Sequence, residues 1–342
     1  MRDLLVAGGG PVGLATALYA ARAGLDVAVA EPRPGAIDKA CGEGLMPGAV
    51  AALRDLGVAL EGHPIRGIRY VDGDHHAEAP FRHGDGLGVR RTTLHAALRD
   101  AVAAAGVPVL TRAVGSVAQA PGGDQVLVDG EPVRHLVAAD GLHSPVRRAL
   151  GVDRPVRVRR RYGLRRHLAV APWTPFVEVH WSRAGEAYVT PVAPDCVGVA
   201  VLSDERRPWD ELVDEFSGLA RLREAEPASR VLGAGPLRQR ARRRVVGRVL
   251  LVGDAAGYVD ALTGEGIALG LAQARAAVAA VAAGRPQGYE LVARRIGWRH
   301  DLLTRSLLAA TRSRAVRGRL VPAAATLPRV FGAAVDQLAR PA

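Results

Sequence analysis

Leu4-Leu5-Val6-Ala7-Gly8-Gly9-Gly10-Pro11-Val12-Gly13-Leu14-Ala15 is the stretch that decides the fold. Four apolar residues read as a short buried strand and the glycines as a turn. Pro11 to Ala23 then reads as a helix, with apolar residues at helical spacing and Gly24 as its stop. Asp26 to Ala30 is a second strand, ending at Glu31. Within this β-α-β unit Gly8, Gly10 and Gly13 form G-x-G-x-x-G. The first glycine permits a tight turn, the second lets a diphosphate approach the backbone, and the third lets helix and strand pack closely. Phosphate oxygens are expected at Gly10, Pro11 and Val12, where unpaired N–H groups and the helix dipole favour negative charge. Glu31, 18 residues beyond Gly13, can accept both hydroxyls of an adenosine ribose and would repel a 2′-phosphate. The spacing therefore predicts a site for FAD or NAD rather than NADP, with Arg33 next to Glu31 as a further candidate contact.

The rest of the chain is consistent with a soluble enzyme. Its 342 residues predict roughly two domains. Hydrophobic residues at 49% and charged residues at 23% exclude global disorder. The 2 cysteines, Cys41 and Cys196, exclude a disulfide framework and favour a reducing, cytoplasmic setting. The opening apolar run is too short for a signal peptide, and no stretch is long enough for a spanning helix. The net charge of +12 is carried almost wholly by arginine, since Lys39 is the only lysine among 46 basic side chains. In an Ala- and Gly-rich chain this reads as a preference for Arg over Lys, and no nucleic-acid role is expected. No metal site is expected either.

The pattern along the chain is a parallel-sheet domain interrupted twice by segments that build a second, mainly antiparallel sheet. The expected boundaries are 1–62, 88–155 and 238–290 for the first domain, and 63–87 with 156–237 for the second. A helical segment at 291–342 follows, broken by Pro322 and Pro328. Phe176–Trp181 and Val197–Leu202 are strand candidates, and Trp209–Leu222 and Ile267–Ala283 are helix candidates.

Two later motifs separate FAD from NAD. Asp140-Gly141-Leu142-His143-Ser144-Pro145-Val146-Arg147 has the form D-G-x-x-S-x-V-R. Gly253-Asp254 closes a buried strand, and Thr263-Gly264-Glu265-Gly266-Ile267 opens a helix. With these motifs in this order, the chain resembles the flavoproteins that include p-hydroxybenzoate hydroxylase and the geranylgeranyl reductases. The resemblance implies an α/β fold with a Rossmann-like FAD domain, an inserted β-sheet substrate domain and C-terminal helices. It also implies that Asp254 meets the ribityl chain of FAD and that the Gly264-Glu265-Gly266 turn aims backbone N–H groups at the flavin. Arg91 would lie near the diphosphate, and Asp140 and Gly141 near FAD, with NADH or NADPH as a transient reductant. The loop Lys39-Ala40-Cys41-Gly42-Glu43-Gly44 is similar to the Cys-Gly loop of the reductase branch, so Cys41 and Gly42 are flavin-side candidates. Two features depart from that branch. No proline precedes the Thr-Gly turn, and its aromatic signature is only partly echoed by Tyr188-Val189-Thr190-Pro191.

Two reactions suit such a scaffold, and a third reading has no reaction. Hydroxylation or oxidation of an aromatic or polyketide-like molecule with NAD(P)H and O2 is the leading expectation. Reduction of isoprenoid or other C=C bonds is the alternative, and a non-catalytic flavin- or lipid-binding protein is the third. Cys41, His180 and Tyr188 are the catalytic candidates. Trp173, Phe176, His180, Trp181, Tyr188 and Pro191 are the substrate candidates. Alternation puts Phe176, Glu178 and His180 on one face and Val177, Val179 and Trp181 on the other, without saying which faces the cofactor. Two arginine clusters, one at Arg157, Arg159, Arg160, Arg161, Arg165 and Arg166 and the other from Arg238 to Arg244, read first as solvated strand faces. The sharper expectation is contact with an acyl carrier or a membrane surface, to which the basic, leucine-containing tail (Arg305, Arg312, Arg314, Arg317, Arg319) could add.

Overall fold

The computed structural model describes residues 1–73, 75–156 and 159–339. Arg157 of the first arginine cluster and the side chains of Arg312 and Arg314 lie outside what is described. The strand Arg2–Ala7 is central. It pairs in parallel with Val27–Ala30 on one side and Glu131–Ala138 on the other, and the sheet continues in parallel to Val109–Leu110 and Val249–Leu251. Residues 4–7, 27–30, 136–138 and 249–251 of these strands are buried on both faces, which is why they read as short apolar runs. Helix α1 (Pro11–Arg22) follows the first strand, α2 (Pro47–Asp55) the loop after the second, and α3 (Arg91–Ala104) crosses back to the sheet. A one-turn α4 (Pro145–Ala149) is capped by Ser144, whose Oγ accepts from the Arg147 N–H.

The second sheet has seven strands in the order 232–234, 162–168, 196–203, 185–193, 176–181, 67–72, 75–80. All its pairings are antiparallel except that between Phe176–Trp181 and Gly67–Asp72. The 63–87 segment divides differently from expectation. Only its two central strands join this sheet, while His63–Ile65 and Gly86–Gly88 form a small sheet with Gly44–Leu45. That small sheet binds the Cys41 loop to the substrate side. Gly88 makes it possible, since a Cβ there would sit 1.6 Å from the Pro191 carbonyl oxygen.

Trp209–Leu222 is not one helix but α5 (Trp209–Val213) followed by a 3-10 turn. The long α6 (Gly266–Ala282) packs on α1. Helices α7 (Tyr289–Arg312), α8 (Arg314–Thr326) and α9 (Pro328–Ala339) complete the chain. Pro328 starts α9 as expected, but Pro322 lies inside α8 and does not end it. Helices α8 and α9 lie over the strand His75–Pro80, where Val321, Phe331 and Val335 join Ile68, Val179 and Trp181 in one apolar cluster. Among the described residues no helix is long and apolar enough to cross a membrane.

Candidate active site

The three glycines do what their spacing demands. Gly8 has φ +100°, and a Cβ there would meet the Ala139 carbonyl at 2.6 Å. A Cβ at Gly13 would sit 1.8 Å from the Gly8 carbonyl oxygen, so α1 can reach the strand only without one. Gly10 has nothing within 4 Å of its would-be Cβ and opens onto a cavity of about 510 Å³ between the two sheets. That is a small-molecule-sized space. The opening turn of α1 and the Thr263–Ile267 turn, which opens α6, both face it.

Of the predicted cofactor residues, Gly8, Gly10, Pro11, Val12, Arg33, Cys41, Gly42, Arg91, Asp140, Gly141, Asp254, Gly264, Gly266 and Ile267 line this one cavity. Gly13 and Gly253 lie behind it. Gly253 adopts φ +57° and lets Val12 pack close. Glu31 is buried and screened from the cavity by Arg33, which donates to it from Nε at 2.7 Å and from its backbone N–H at 3.0 Å. Arg33 Nη2 at 3.0 Å and the Gly9 N–H at 2.8 Å add two more bonds. Burial opposes the charge on Glu31, but these bonds outweigh it and hold the carboxyl below its ordinary range. Glu265 departs from expectation. Its side chain reaches His300 Nδ1 on α7, 2.6 Å away, and it does not join Thr263, Gly264, Gly266 and Ile267 in lining the cavity.

The donor set fits a dinucleotide with a flavin. Arg33, Lys39 and Arg91 line the same cavity as the start of α1 and supply the positive charge a diphosphate requires. Lys39 Nζ stands 3.6 Å from Asp254 Oδ2. Three cavity-lining residues hold buried polar atoms without partners among the described residues, Arg91 Nε, Asp140 Oδ1 and Arg165 Nε. Burial pushes the Asp140 carboxyl up. Orphaned groups of this kind are costly unless a ligand satisfies them.

A family profile described as an FAD binding domain matches residues 1–285. The chain belongs to this FAD-binding domain family. The menaquinone reductase of Mycobacterium tuberculosis (strain ATCC 25618 / H37Rv) is 32% identical over 308 residues, which is 80% of this chain and 75% of that protein. Digeranylgeranylglycerophospholipid reductase 1 of Methanothermobacter thermautotrophicus is 27% identical over 334 residues, covering 86% and 80% respectively. A geranylgeranyl bacteriochlorophyll reductase-like structure from Thermoplasma acidophilum superposes with a TM-score of 0.75 at 22% identity, over 89% of this chain and 85% of that one. The likeness to that structure shows the shared fold. The chain is thus a flavin-dependent oxidoreductase with the p-hydroxybenzoate hydroxylase architecture anticipated from its motifs.

The family's substrate side required more correction. Val177 and Val179 face the cavity, and Trp181 on the same face packs edge-on against Tyr70, with ring centroids 5.6 Å apart, without lining it. The opposite face carries His180 and Glu178. Trp173 Nε1 and Arg69 both donate to Glu178 at 3.1 Å, and His180 Nε2 lies at the same distance. Phe176 lies beneath the Arg69 guanidinium. Trp173, Phe176 and His180 therefore stabilise the far side of the sheet, and Pro191, whose carbonyl lies against Gly88, does not line the cavity. Of the aromatic candidates only Tyr188 lines the cavity.

Several residues in or behind the cavity wall carried no signal in the sequence. His95 Nε2 donates to the Gly9 carbonyl at 2.8 Å, while its Nδ1 accepts the Ile37 N–H at 3.2 Å. It thereby joins the diphosphate turn to the Lys39–Glu43 loop. Burial lowers its pKa, which keeps this neutral arrangement. Glu43, at φ +59°, accepts from the Arg91 N–H at 2.8 Å and faces His167 Nε2 at 2.5 Å. Arg165, read as part of a solvated cluster, is 1% exposed, pairs with Asp38 and lines the cavity. Arg161 is similarly enclosed, between Glu186 and Asp260. The solvated reading fails for these two because their acidic partners come from other strands and loops.

Proposed function

We propose that the protein is a flavin-dependent reductase of a carbon–carbon double bond in an apolar, isoprenoid-like substrate. One observation carries this reading. An apolar wall of the cavity is formed by Met46, Ile68, Phe81, Val179, Leu262 and Leu338, and all of these but Leu338 belong to one apolar cluster with residues of α8 and α9. Its polar groups are already committed. Thr190 Oγ1 donates to the Gly42 carbonyl and the Tyr188 hydroxyl to the Leu262 carbonyl, each at 2.8 Å. A phenolate or a polyketide would find few free partners there, whereas an aliphatic chain needs none. The names of the two curated relatives, both reductases and one acting on a digeranylgeranyl lipid, support the same choice. Oxygenation, the leading expectation from sequence, becomes the rival.

Bound and reduced FAD supplies the hydride equivalent. The chain's own residues hold the alkene against it, exclude water and provide the proton. Apolar walls and the covering α9 residues Val335 and Leu338 do the first two. For the third, Cys41 lines the cavity and its Sγ accepts the Glu43 N–H at 3.5 Å, which leaves the S–H free to point elsewhere. Cys41 is the proton donor in this reading. The Tyr188 hydroxyl is placed otherwise. Burial raises its pKa, its proton is engaged by Leu262, and it holds the Thr263–Gly264 turn in place.

The test is a transfer of electrons without oxygen. Chemically reduced holoprotein is mixed anaerobically with a polyprenyl quinone or a prenyl phospholipid, and the absorbance of oxidised flavin is followed. Its return in step with substrate saturation supports the proposal. Reoxidation only when air is admitted refutes it. Cys41→Ala should retain FAD and slow the anaerobic step; an unchanged rate would remove Cys41 from the chemistry.

A further inference from the structure

Helix α7 has two opposed faces, and only one is explained by the fold. Ala293, His300, Thr304 and Leu307 point inward. The Thr263 hydroxyl lies 3.2 Å from His300 and 3.4 Å from the Thr304 hydroxyl, against the turn that opens α6. On the opposite face Leu291, Trp298 and Leu302 recur at intervals of seven and four residues, which aligns them on a helix. They are 56%, 54% and 56% exposed. Trp181 and Trp209 are buried, so an open Trp on this helix is a departure within the same chain. The stripe spans about 16 Å of helix.

The flanks of this stripe are cationic. Arg294, Arg295 and Arg299 border it and are exposed, with the Arg299 guanidinium 5.4 Å from the Trp298 ring centroid. Arg294 is paired with Glu290, whose other oxygen accepts the N–H groups of Arg244 and Val245 and anchors the start of the helix. Asp301 is engaged by Arg305. A second exposed apolar pair, Leu327 and Val330 beside Arg329, opens α9, the helix whose far end lines the apolar cavity.

We infer that the outer face of α7 is a docking surface for an anionic lipid bilayer, with Leu291, Trp298 and Leu302 entering the interface and Arg294, Arg295 and Arg299 meeting the headgroups. Charge decides among occupants. A second copy of a +12 chain would bring arginine to arginine, whereas anionic headgroups complement them. A Trp among leucines with flanking arginines is also the composition of a helix lying in a membrane interface. This inference concerns the surface and holds for either reaction.

The test uses the FAD-loaded full chain. Its co-sedimentation is measured with vesicles of one part phosphatidylglycerol to three parts phosphatidylcholine, and with phosphatidylcholine alone, at low and high salt. The expected result is binding to the anionic vesicles that salt weakens. It should fall at least about tenfold in a Leu291→Ser, Trp298→Ser, Leu302→Ser variant whose flavin spectrum is unchanged. Lipids brominated near the headgroup should quench Trp298 fluorescence, and the quenching should disappear in Trp298→Phe. Wild-type protein left in the supernatant at low salt, or equal sedimentation of the variant, overturns the inference. So does a dimer in solution that the variant dissociates, because it assigns the face to a second copy. Turnover of a short, water-soluble prenyl substrate should be equal in wild type and variant, which separates failure of the surface from failure of the proposed reaction.

Discussion

Gly10→Ala and Gly13→Ala should fail in opposite ways. At Gly13 the new methyl would lie 1.8 Å from the Gly8 carbonyl oxygen, so α1 must move off its strand. Such overpacking against backbone is expected to cost on the order of 3 kcal/mol of stability. At Gly10 the backbone has φ −69°, which alanine adopts freely, and no protein atom lies within 4 Å of the added carbon. The apo-protein should therefore lose no more than about 1 kcal/mol, the difference between Gly and Ala as a helix N-cap. The methyl instead enters space kept for the diphosphate. Displacing one or two charge-assisted hydrogen bonds should weaken FAD binding by about 2 to 4 kcal/mol, or roughly thirty- to a thousandfold. Thermal unfolding of the apo-proteins and titration with FAD, followed by flavin fluorescence, read the two effects separately. Wild-type FAD affinity in Gly10→Ala would refute the placement of the diphosphate.

Three further predictions concern residues around the cavity. His95→Ala removes the bond to the Gly9 carbonyl and leaves the Ile37 N–H buried, so FAD affinity should fall about tenfold or more, read by the same titration. Glu186 is pushed up to about 7, by burial first and by Asp260 next, against the pull of Arg161. A carboxyl raised on folding contributes stability that is complete below its unfolded value near 4.5 and is lost as pH rises through about 7. Glu186→Gln should therefore flatten the fall in thermal midpoint across that window, with Asp260 still pairing Arg161; an unchanged pH profile would contradict the assignment. Leu338→Trp, at the covered end of the cavity, should reduce turnover of long prenyl chains relative to short ones, measured as a ratio of kcat/KM values; equal losses would show that the chain does not extend toward α9.

How much of this was legible in the sequence depended on how local each feature is. The Gly8–Gly13 turn is set by a few adjacent residues, so its spacing alone pointed to a dinucleotide; the Asp140 segment and the Thr263–Ile267 turn were added to it by the resemblance, and residues of all three line one cavity. Alternation sorted the 176–181 strand into its two faces correctly but could not choose between them. The choice is made by Arg69 with Trp173 on one side and by α8 and α9 on the other, and of these only Trp173 is near in sequence. Arg165 looked solvated because its partner, Asp38, is 127 residues away. Only its unlike surroundings, Gly42 and Gly44, set Glu43 apart. His95 had no such mark, because its role depends on two backbone groups that α3 meets only in the folded chain.

The central claim is that this cavity adds hydrogen across a carbon–carbon double bond. It is tested most directly by a turnover in labelled water under labelled dioxygen, with the product analysed by mass spectrometry. The expected product has gained two hydrogens, at least one of them drawn from the labelled water, and no labelled oxygen. A product carrying one atom from dioxygen, with its double bonds intact, would contradict it and restore oxygenation.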